Sequence, residues 1–265
     1  MAADPIIIVD DVSLRFGRVD VLRGVSFQVE RNETLCILGG SGGGKSTLLK
    51  VMIGNLRPTR GRVILDGDDI SKMDEPKLNA VRRKFGVMFQ LGALLNSMTL
   101  AENVALPLEF HTRLSEDVID AMVKIKLNQV GLREAAEKLP SEISGGMLKR
   151  AAIARALARD PKILFYDEPS AGLDPISTTR IDVLINEMKN VMKITNVVVT
   201  HVMESVRRIA DHVVMLAQGR VIVDGSLQDL QESQDHVVKA FVSGDLEPEA
   251  EDVARHAAFF KDLLM

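Results

Sequence analysis

Gly39-Gly40-Ser41-Gly42-Gly43-Gly44-Lys45-Ser46-Thr47 is the stretch from which the fold of this chain is read. The apolar run Leu35-Cys36-Ile37-Leu38 precedes it and Leu48-Leu49-Lys50-Val51-Met52-Ile53 follows it. A strand therefore passes through a glycine loop into a helix, the order a triphosphate cradle requires. Without a Cβ, glycine lets successive backbone N–H groups turn inward on an anion. A helix opening at Lys45 aims the positive end of its dipole at the same phosphates. In such a loop the lysine can reach the β- and γ-phosphates and the hydroxyl of Ser46 can ligate Mg²⁺. A flexible glycine turn is the plain alternative, and the strand and helix on either side weigh against it.

Other short, solidly apolar runs lie at Val87–Phe89, Ile163–Tyr166, Val197–Val199 and Val213–Leu216. Continuous rather than alternating apolar character fits strands of a parallel sheet buried on both faces. Helical patterns fall between them, as at Thr178–Met192 and Glu204–Asp211, and the product is an α/β layered fold. Ile6–Val9 and Val25–Val29, joined through Arg18-Val19-Asp20, predict a small β-rich entry region, to which Val63–Leu65 adds a strand before the Asp66-Gly67 turn. From Gln90 to about Ala158 the pattern turns helical. Within it Ser115–Val130 carries a partial stripe of Val118, Ile119, Met122, Ile125 and Val130. Gly219-Arg220 turns a short hairpin into Val221–Val223. An acidic stretch with a proline, Asp245 to Asp252, reads as a linker, and Val253, Ala257, Phe260 and Leu264 follow at helical spacing.

Composition narrows the function. The 265 residues suffice for one large or two small domains with a full core, and a 26% charged content with net charge -4 lacks the basic excess of a nucleic-acid binder. The absence of Trp also disfavours a base-stacking surface. The one cysteine, Cys36, excludes an internal disulfide framework and reads as a small core residue. No apolar run approaches the ~20 residues of a bilayer span. Met1-Ala2-Ala3-Asp4-Pro5 lacks the basic-then-apolar form of a secretory signal. A cytoplasmic chain is expected, with any membrane spans carried by other subunits.

Two further motifs point to chemistry. Ile163-Leu164-Phe165-Tyr166-Asp167-Glu168 is an apolar strand ending in two carboxylates, which neighbour each other on a strand and so face opposite sides. Asp167 would bind Mg²⁺ through its water shell, and Glu168 would face the γ-phosphate and polarise the attacking water. Alone, such an end is no more than a pair of solvated acids; downstream of a glycine loop it becomes specific. Ile143-Ser144-Gly145-Gly146-Met147 opens the helical run Leu148–Ala158, with Ser144 as N-cap candidate and two glycines exposing N–H groups at the helix start. That is a second anion site, or simply a capped helix.

In this order the pieces resemble the nucleotide-binding subunit of ABC transporters, over roughly Ile6 to Asp224. The resemblance implies a P-loop NTPase (RecA-like) core with an N-terminal antiparallel β subdomain and a helical signature subdomain. The cassette would occupy residues 1–244, the helical subdomain about 91–158, and the linker and helical tail 245–265. The family signature Leu-Ser-Gly-Gly-Gln is present as Ile143-Ser144-Gly145-Gly146-Met147, trailed by Lys149-Arg150-Ala151-Ala152-Ile153-Ala154-Arg155-Ala156-Leu157. Phe16 matches the aromatic that stacks on adenine. Gln90 matches the glutamine that contacts Mg²⁺ or water and senses the membrane partner. Ala171-Gly172-Leu173-Asp174 matches the loop that crosses to the other subunit, and His201 the histidine on the γ-phosphate. Taken singly, Phe16 reads as a core aromatic, Gln90 as a polar strand end and His201 as a structural hydrogen-bonder. The other four of the five histidines, His111 and His212 among them, have no motif around them. Two positions depart from the pattern: Met147 removes an amide near the ribose, and Val202 stands where an aspartate is frequent.

The resemblance implies a head-to-tail homodimer. ATP would lie between Gly39–Thr47 of one copy and Ser144-Gly145-Gly146 of the other, with hydrolysis through Glu168 opening the pair. The stretch Phe89–Leu108, with Gln90-Leu91-Gly92-Ala93-Leu94 and Glu102-Asn103-Val104-Ala105-Leu106-Pro107-Leu108, together with His111-Thr112 and Met147, looks like the ATPases of Mla-type phospholipid transport systems. This likeness implies an MlaE-like permease, an MCE-domain lipid-binding protein (MlaD-like), possibly a small STAS-domain protein (MlaB-like), and attachment to the cytoplasmic face of the inner membrane. The cargo would be glycerophospholipid moved between inner and outer membranes. Another ABC importer is the runner-up. A membrane-free ABC ATPase fits less well, since one motif set is present and Lys45 and Ser144 are too close for an intervening coiled coil. The tail Val253–Met265 would dock on the second copy or a small partner, or pack on its own domain.

Overall fold

The computed structural model describes residues 5–90 and 92–244. The linker and tail at 245–265 lie outside the described residues.

Two sheets organise the chain. The first is built from β1 (Pro5–Phe16), β2 (Val19–Glu30), β4 (Arg60–Leu65) and the short β5 (Asp68–Asp69), in the order β2-β1-β4-β5 with antiparallel pairings. β1 and β2 run well past their apolar centres because register shifts along the pair, as between Val9 and Val12, absorb the polar residues Asp10 and Asp11 without ending the ladder. The second sheet contains β3 (Thr34–Leu38), β6 (Phe85–Met88), β7 (Ile163–Asp167), β8 (Thr195–Val199), β9 (His212–Ala217) and β10 (Arg220–Gly225). Its order is β10-β9-β3-β8-β7-β6, parallel except for the terminal hairpin strand β10.

Strand alternation divides the core. Leu35, Ile37, Ile163, Phe165, Val197, Val199, Val214 and Leu216 face one side, where they pack with the first sheet and with helix α1 (Lys45–Met52). Cys36, Leu38, Leu164, Tyr166, Val198, Val213 and Met215 face the other. There they meet helices α3 (Leu100–His111), α4 (Glu116–Gln129), α5 (Gly145–Leu157) and α6 (Pro175–Asn190), after the short helix α2 (Glu75–Arg82). Burial on both faces is the reason these strands lack polar alternation. Tyr166, fully buried one residue before the carboxylates, donates to Asn196 Oδ1 on β8 at 3.2 Å. That bond satisfies a phenol that burial holds far above its usual pKa, and it fixes the side-by-side placement of two strand ends.

Some local expectations shift. β6 ends at Met88, so Phe89 stands outside the strand and is exposed. On α4, Val118 and Ile125 are exposed, while Lys126 is buried and its ammonium pairs with Asp160. The helix therefore keeps Ile119, Met122 and Val130 of the stripe read from the sequence against the core and adds Val123 and Leu127, while Val118 and Ile125 fall outside it. After α7 (Met203–Ile209), two short helices, α8 (Leu227–Glu232) and α9 (His236–Ser243), follow β10. They are set by side-chain caps: Ser226 with Asp229, and Asp235. No helix among the described residues is long and apolar enough to cross a membrane.

His212 ties the sheets' connections together. Its Nδ1 lies 2.8 Å from Glu33 and its Nε2 2.6 Å from Asp224. Burial disfavours the imidazolium, but hydrogen bonds to the two carboxylates outweigh it and raise the pKa above 6.5. A raised folded-state pKa stabilises the fold fully below the unfolded value, and the benefit fades as pH climbs through the folded value. A His212→Gln variant is therefore expected to lose about 1 kcal/mol at pH 6, with a smaller deficit at pH 9. Urea titrations giving equal deficits at both pH values would refute this assignment.

Candidate nucleotide-binding and hydrolysis site

The glycine loop joins β3 to α1. Gly39 takes φ +140, and a Cβ there would meet Leu216 O at 2.2 Å, so only glycine lets the chain leave β3 beside β9. α1 begins behind Gly44, itself at φ 99, with no side-chain cap and no acidic residue in its first turn. Its first N–H groups are thus left for an outside acceptor. A cavity opens against them, lined by Val21, Gly42, Gly43, Gly44, Lys45, Ser46 and Thr47. Ser46 in this lining is exposed, as is Ser41 earlier in the loop. Lys45 Nζ donates to the carbonyls of Gly39 at 2.7 Å and Gly40 at 2.8 Å, which places the ammonium over the loop. Burial lowers its pKa, against the opposing charges of Glu168 and Asp167.

Those carboxylates sit at the end of β7, where parallel strands present their carboxyl ends. Asp167 is half-buried and its Oδ1 has no hydrogen-bond partner. Burial first, then the charge of Glu168, raises its pKa against Lys50, Lys149 and Lys45. A buried, unpartnered carboxylate oxygen fits a hard cation. No cluster of three or more acidic, His or Cys ligands exists among the described residues. Mg²⁺ would therefore have to share its shell with phosphate oxygens and water, alongside Ser46 and Asp167, as its coordination habit favours.

Glu168 adopts φ +50, a left-handed conformation costly for a residue with a Cβ. Its N–H donates to Val199 O at 2.9 Å, holding it beside β8. His201, just past β8, brings Nδ1 within 2.9 Å of the Glu168 carboxylate. Val202 supplies no side-chain cap to α7, and the side-chain partner of His201 is the Glu168 carboxylate. Gln90, after β6, is exposed. Phe16, at the end of β1, is half exposed, an aromatic face turned to solvent rather than to the core.

Ser144 is the N-cap of α5 and accepts from Met147 N at 3.3 Å; that first turn also lacks an acidic residue. Gly145 and Gly146 follow at the helix start, while Met147 packs against the core of α3 to α5. Asp174 caps α6, its carboxylate accepting from Ile176 N and Ser177 N at 3.0 Å each. Lys45, Asp167, Glu168 and His201 thus form one group at the sheet's carboxyl edge, whereas Ser144 and Asp174 belong to the starts of two other helices. Sequence reasoning missed Lys149. It is buried on α5, and its ammonium donates to the carbonyl of Gln90 and, at 3.3 Å, to that of Glu168. The signal was present: Lys149, Ala152, Ile153 and Ala156 share a helical stripe, so the charge lies on an otherwise apolar face.

A phosphate cradle and a paired-carboxylate strand end on one parallel sheet define an ATP-hydrolysing P-loop protein. The match to the ABC transporter family model runs over residues 22–171. Relatives extend the likeness over most of the chain. An intermembrane phospholipid transport system ATP-binding protein, MlaF, of Haemophilus influenzae is 42% identical over 88% of this chain and 89% of its own length. A probable ribonucleotide transport ATP-binding protein of Mycobacterium tuberculosis is 41% identical over 89% of this chain and 66% of its own. A solved dimeric ATP-binding cassette in a post-hydrolysis state, bound to ADP and Pi, superposes with a TM-score of 0.77 at 31% identity, covering 83% of this chain and 98% of that one. The chain belongs to the ABC transporter family, as an ATP-binding subunit.

Proposed function

We propose that the chain powers phospholipid movement between inner and outer membranes, as the ATPase of an Mla-type system. The observation that carries this is the 42% identity, nearly end to end, with the MlaF protein. ATP is gripped by Gly39, Gly40, Ser41, Gly42, Gly43, Gly44, Lys45, Ser46 and Thr47, with Phe16 on the adenine. Ser46, Asp167 and Gln90 would hold Mg²⁺, which would supply charge neutralisation at the phosphates. Glu168 polarises the water, and His201 orients Glu168 and faces the γ-phosphate. One loop leaves a side of the γ-phosphate open to water; Ser144, Gly145 and Gly146 of a second copy close it, and Asp174 crosses at the same seam. The working unit is a homodimer on the cytoplasmic face of the inner membrane. It sits beneath an MlaE-like permease, with an MCE-domain protein (MlaD-like) and a STAS-domain protein (MlaB-like) as further subunits.

The tagged full-length chain, drawn from detergent-solubilised membranes, should bring down a permease and glycerophospholipid by mass spectrometry. Ribonucleotide in place of lipid would favour the cargo named for the mycobacterial relative, and no membrane subunit at all would end the transporter reading. The shared-site arrangement makes its own prediction. Ser144→Ala should leave the nucleotide Kd of the single chain unchanged and slow turnover about 100-fold, since one donor to a developing charge is lost. A wild-type rate would remove Ser144 from the site.

A further inference from the structure

Helix α5 grips the segment beyond β6 at successive points. Lys149 donates to the Gln90 carbonyl, while Arg155 donates to Ala93 O at 2.7 Å and Gly92 O at 2.9 Å. Leu148 packs so closely that a Cβ on Gly92 would lie 2.6 Å from its Cδ2. Behind this contact a Cβ on Gly86 would lie 2.2 Å from Ala156 O, so α5 and β6 are pressed together backbone to backbone. Lys149 is only 7% exposed. A buried ammonium carries a desolvation penalty that a methionine of similar length would avoid, so packing alone does not call for it. It spends its donors on main-chain carbonyls of two residues from different strands, Gln90 after β6 and Glu168 after β7.

We infer that Lys149 is a positioning residue of the ATPase reaction. From the helix that opens at Ser144, it holds the main chain of Gln90 and Glu168 in one fixed relation. The inference rests on the reading of Gln90 and Glu168 given under the proposed function. Glu168 is held in its left-handed conformation from both sides, its N–H on Val199 O and its carbonyl on Lys149 Nζ. Displacement of α5 against the sheet moves Nζ, and with it the strand end that aims the Glu168 carboxylate. Contact at the Ser144 end of the helix is thereby transmitted to the hydrolytic residue and to the Gln90 segment through one side chain. Misplacing a reacting group by about 1 Å costs on the order of 100-fold in rate, so a single such tie is large enough to matter.

The test compares Lys149→Met, Lys149→Arg and Glu168→Gln in the full-length chain, with kcat from phosphate release, Kd from a fluorescent ATP analogue, and thermal midpoints. Lys149→Met should fold, keep its Kd within about twofold and lose about tenfold or more in kcat. Lys149→Arg, whose forked donors reach two carbonyls, should recover kcat to within about threefold of wild type. A wild-type kcat in Lys149→Met overturns the inference. So does a parallel loss of kcat, Kd and thermal midpoint, or an arginine variant no better than the methionine one. If Lys149→Met does not fold, Lys149→Gln keeps an amide donor group without the charge or the reach, and carries the same comparison of kcat against Kd. Wild-type turnover in Glu168→Gln would instead sink the site reading itself. An inactive Glu168→Gln beside a fully active Lys149→Met would sink only the role of Lys149.

Discussion

Glu168→Gln is expected to abolish ATP turnover while leaving nucleotide binding intact. The substitution keeps the length and shape of the side chain. The backbone strain at φ +50 is set by the main chain, through the bonds of Glu168 N–H to Val199 O and of its carbonyl to Lys149, and both survive. The lost element is a negative oxygen able to polarise water and receive its proton. An amide offers neither, and general-base removal costs about 10²–10⁴ in rate. His201, 2.9 Å from the carboxylate, would still find an oxygen or nitrogen partner, so the imidazole should stay in place. The measured signature is a kcat down by about three orders of magnitude with Kd for ATP within about twofold. With hydrolysis blocked, ATP should also hold the two copies together, visible as a dimer in sedimentation. Turnover within about threefold of wild type would mean that another group prepares the water, with Gln90 and His201 the next to test.

The sequence made the site far more legible than its mechanics. The solid apolar runs at Leu35–Leu38 and Val197–Val199 betrayed a doubly covered parallel sheet because no polar residue interrupts them. Both are fully buried. Glycine spacing betrayed the cradle, whose first residue cannot carry a side chain: a Cβ on Gly39 would lie 2.2 Å from Leu216 O. What escaped were features decided by tertiary packing. Val118 and Ile125 looked like core and are exposed, since α4 rolls to bury Ile119, Val123 and Leu127 and to seal the Lys126–Asp160 pair. The strain at Glu168 is invisible in composition, because nothing local to Asp167-Glu168 requires a positive φ; the neighbouring strand's Val199 imposes it. Lys149 was masked by its chemistry: a lysine in a helix reads as solvated until the partner carbonyls, distant in sequence, are in view. Asn103 is similar. Its buried amide takes the carbonyls of Leu95, Met98 and Thr99 and shapes the segment that follows Gln90.

Lys45→Ala should instead weaken binding. Lys45 is the cation fixed over the loop, with Nζ held by Gly39 O and Gly40 O, and it stands where α1 points its first N–H groups. A charged donor lost from an anion site costs about 1.5–3 kcal/mol, and the loop also loses its two internal ties. Together these should weaken ATP about 100-fold, which corresponds to about 2.7 kcal/mol. Fold stability should change little, because removing a partly desolvated ammonium offsets the lost loop bonds. A thermal-shift experiment separates the two effects. In the wild type, saturating Mg-ATP raises the midpoint by the linkage of ligand to the folded state; in the variant the midpoint without nucleotide stays close to wild type and most of the nucleotide-dependent rise is lost. Lys45→Arg should fail to restore it, since a planar fork cannot replace a compact ammonium inside a loop closed by Gly39 and Gly44. A variant that still shifts as far as wild type with Mg-ATP would show that backbone donors and the α1 dipole suffice for binding. The contribution of Lys45 would then be confined to the transition state, and the loss would appear in kcat alone.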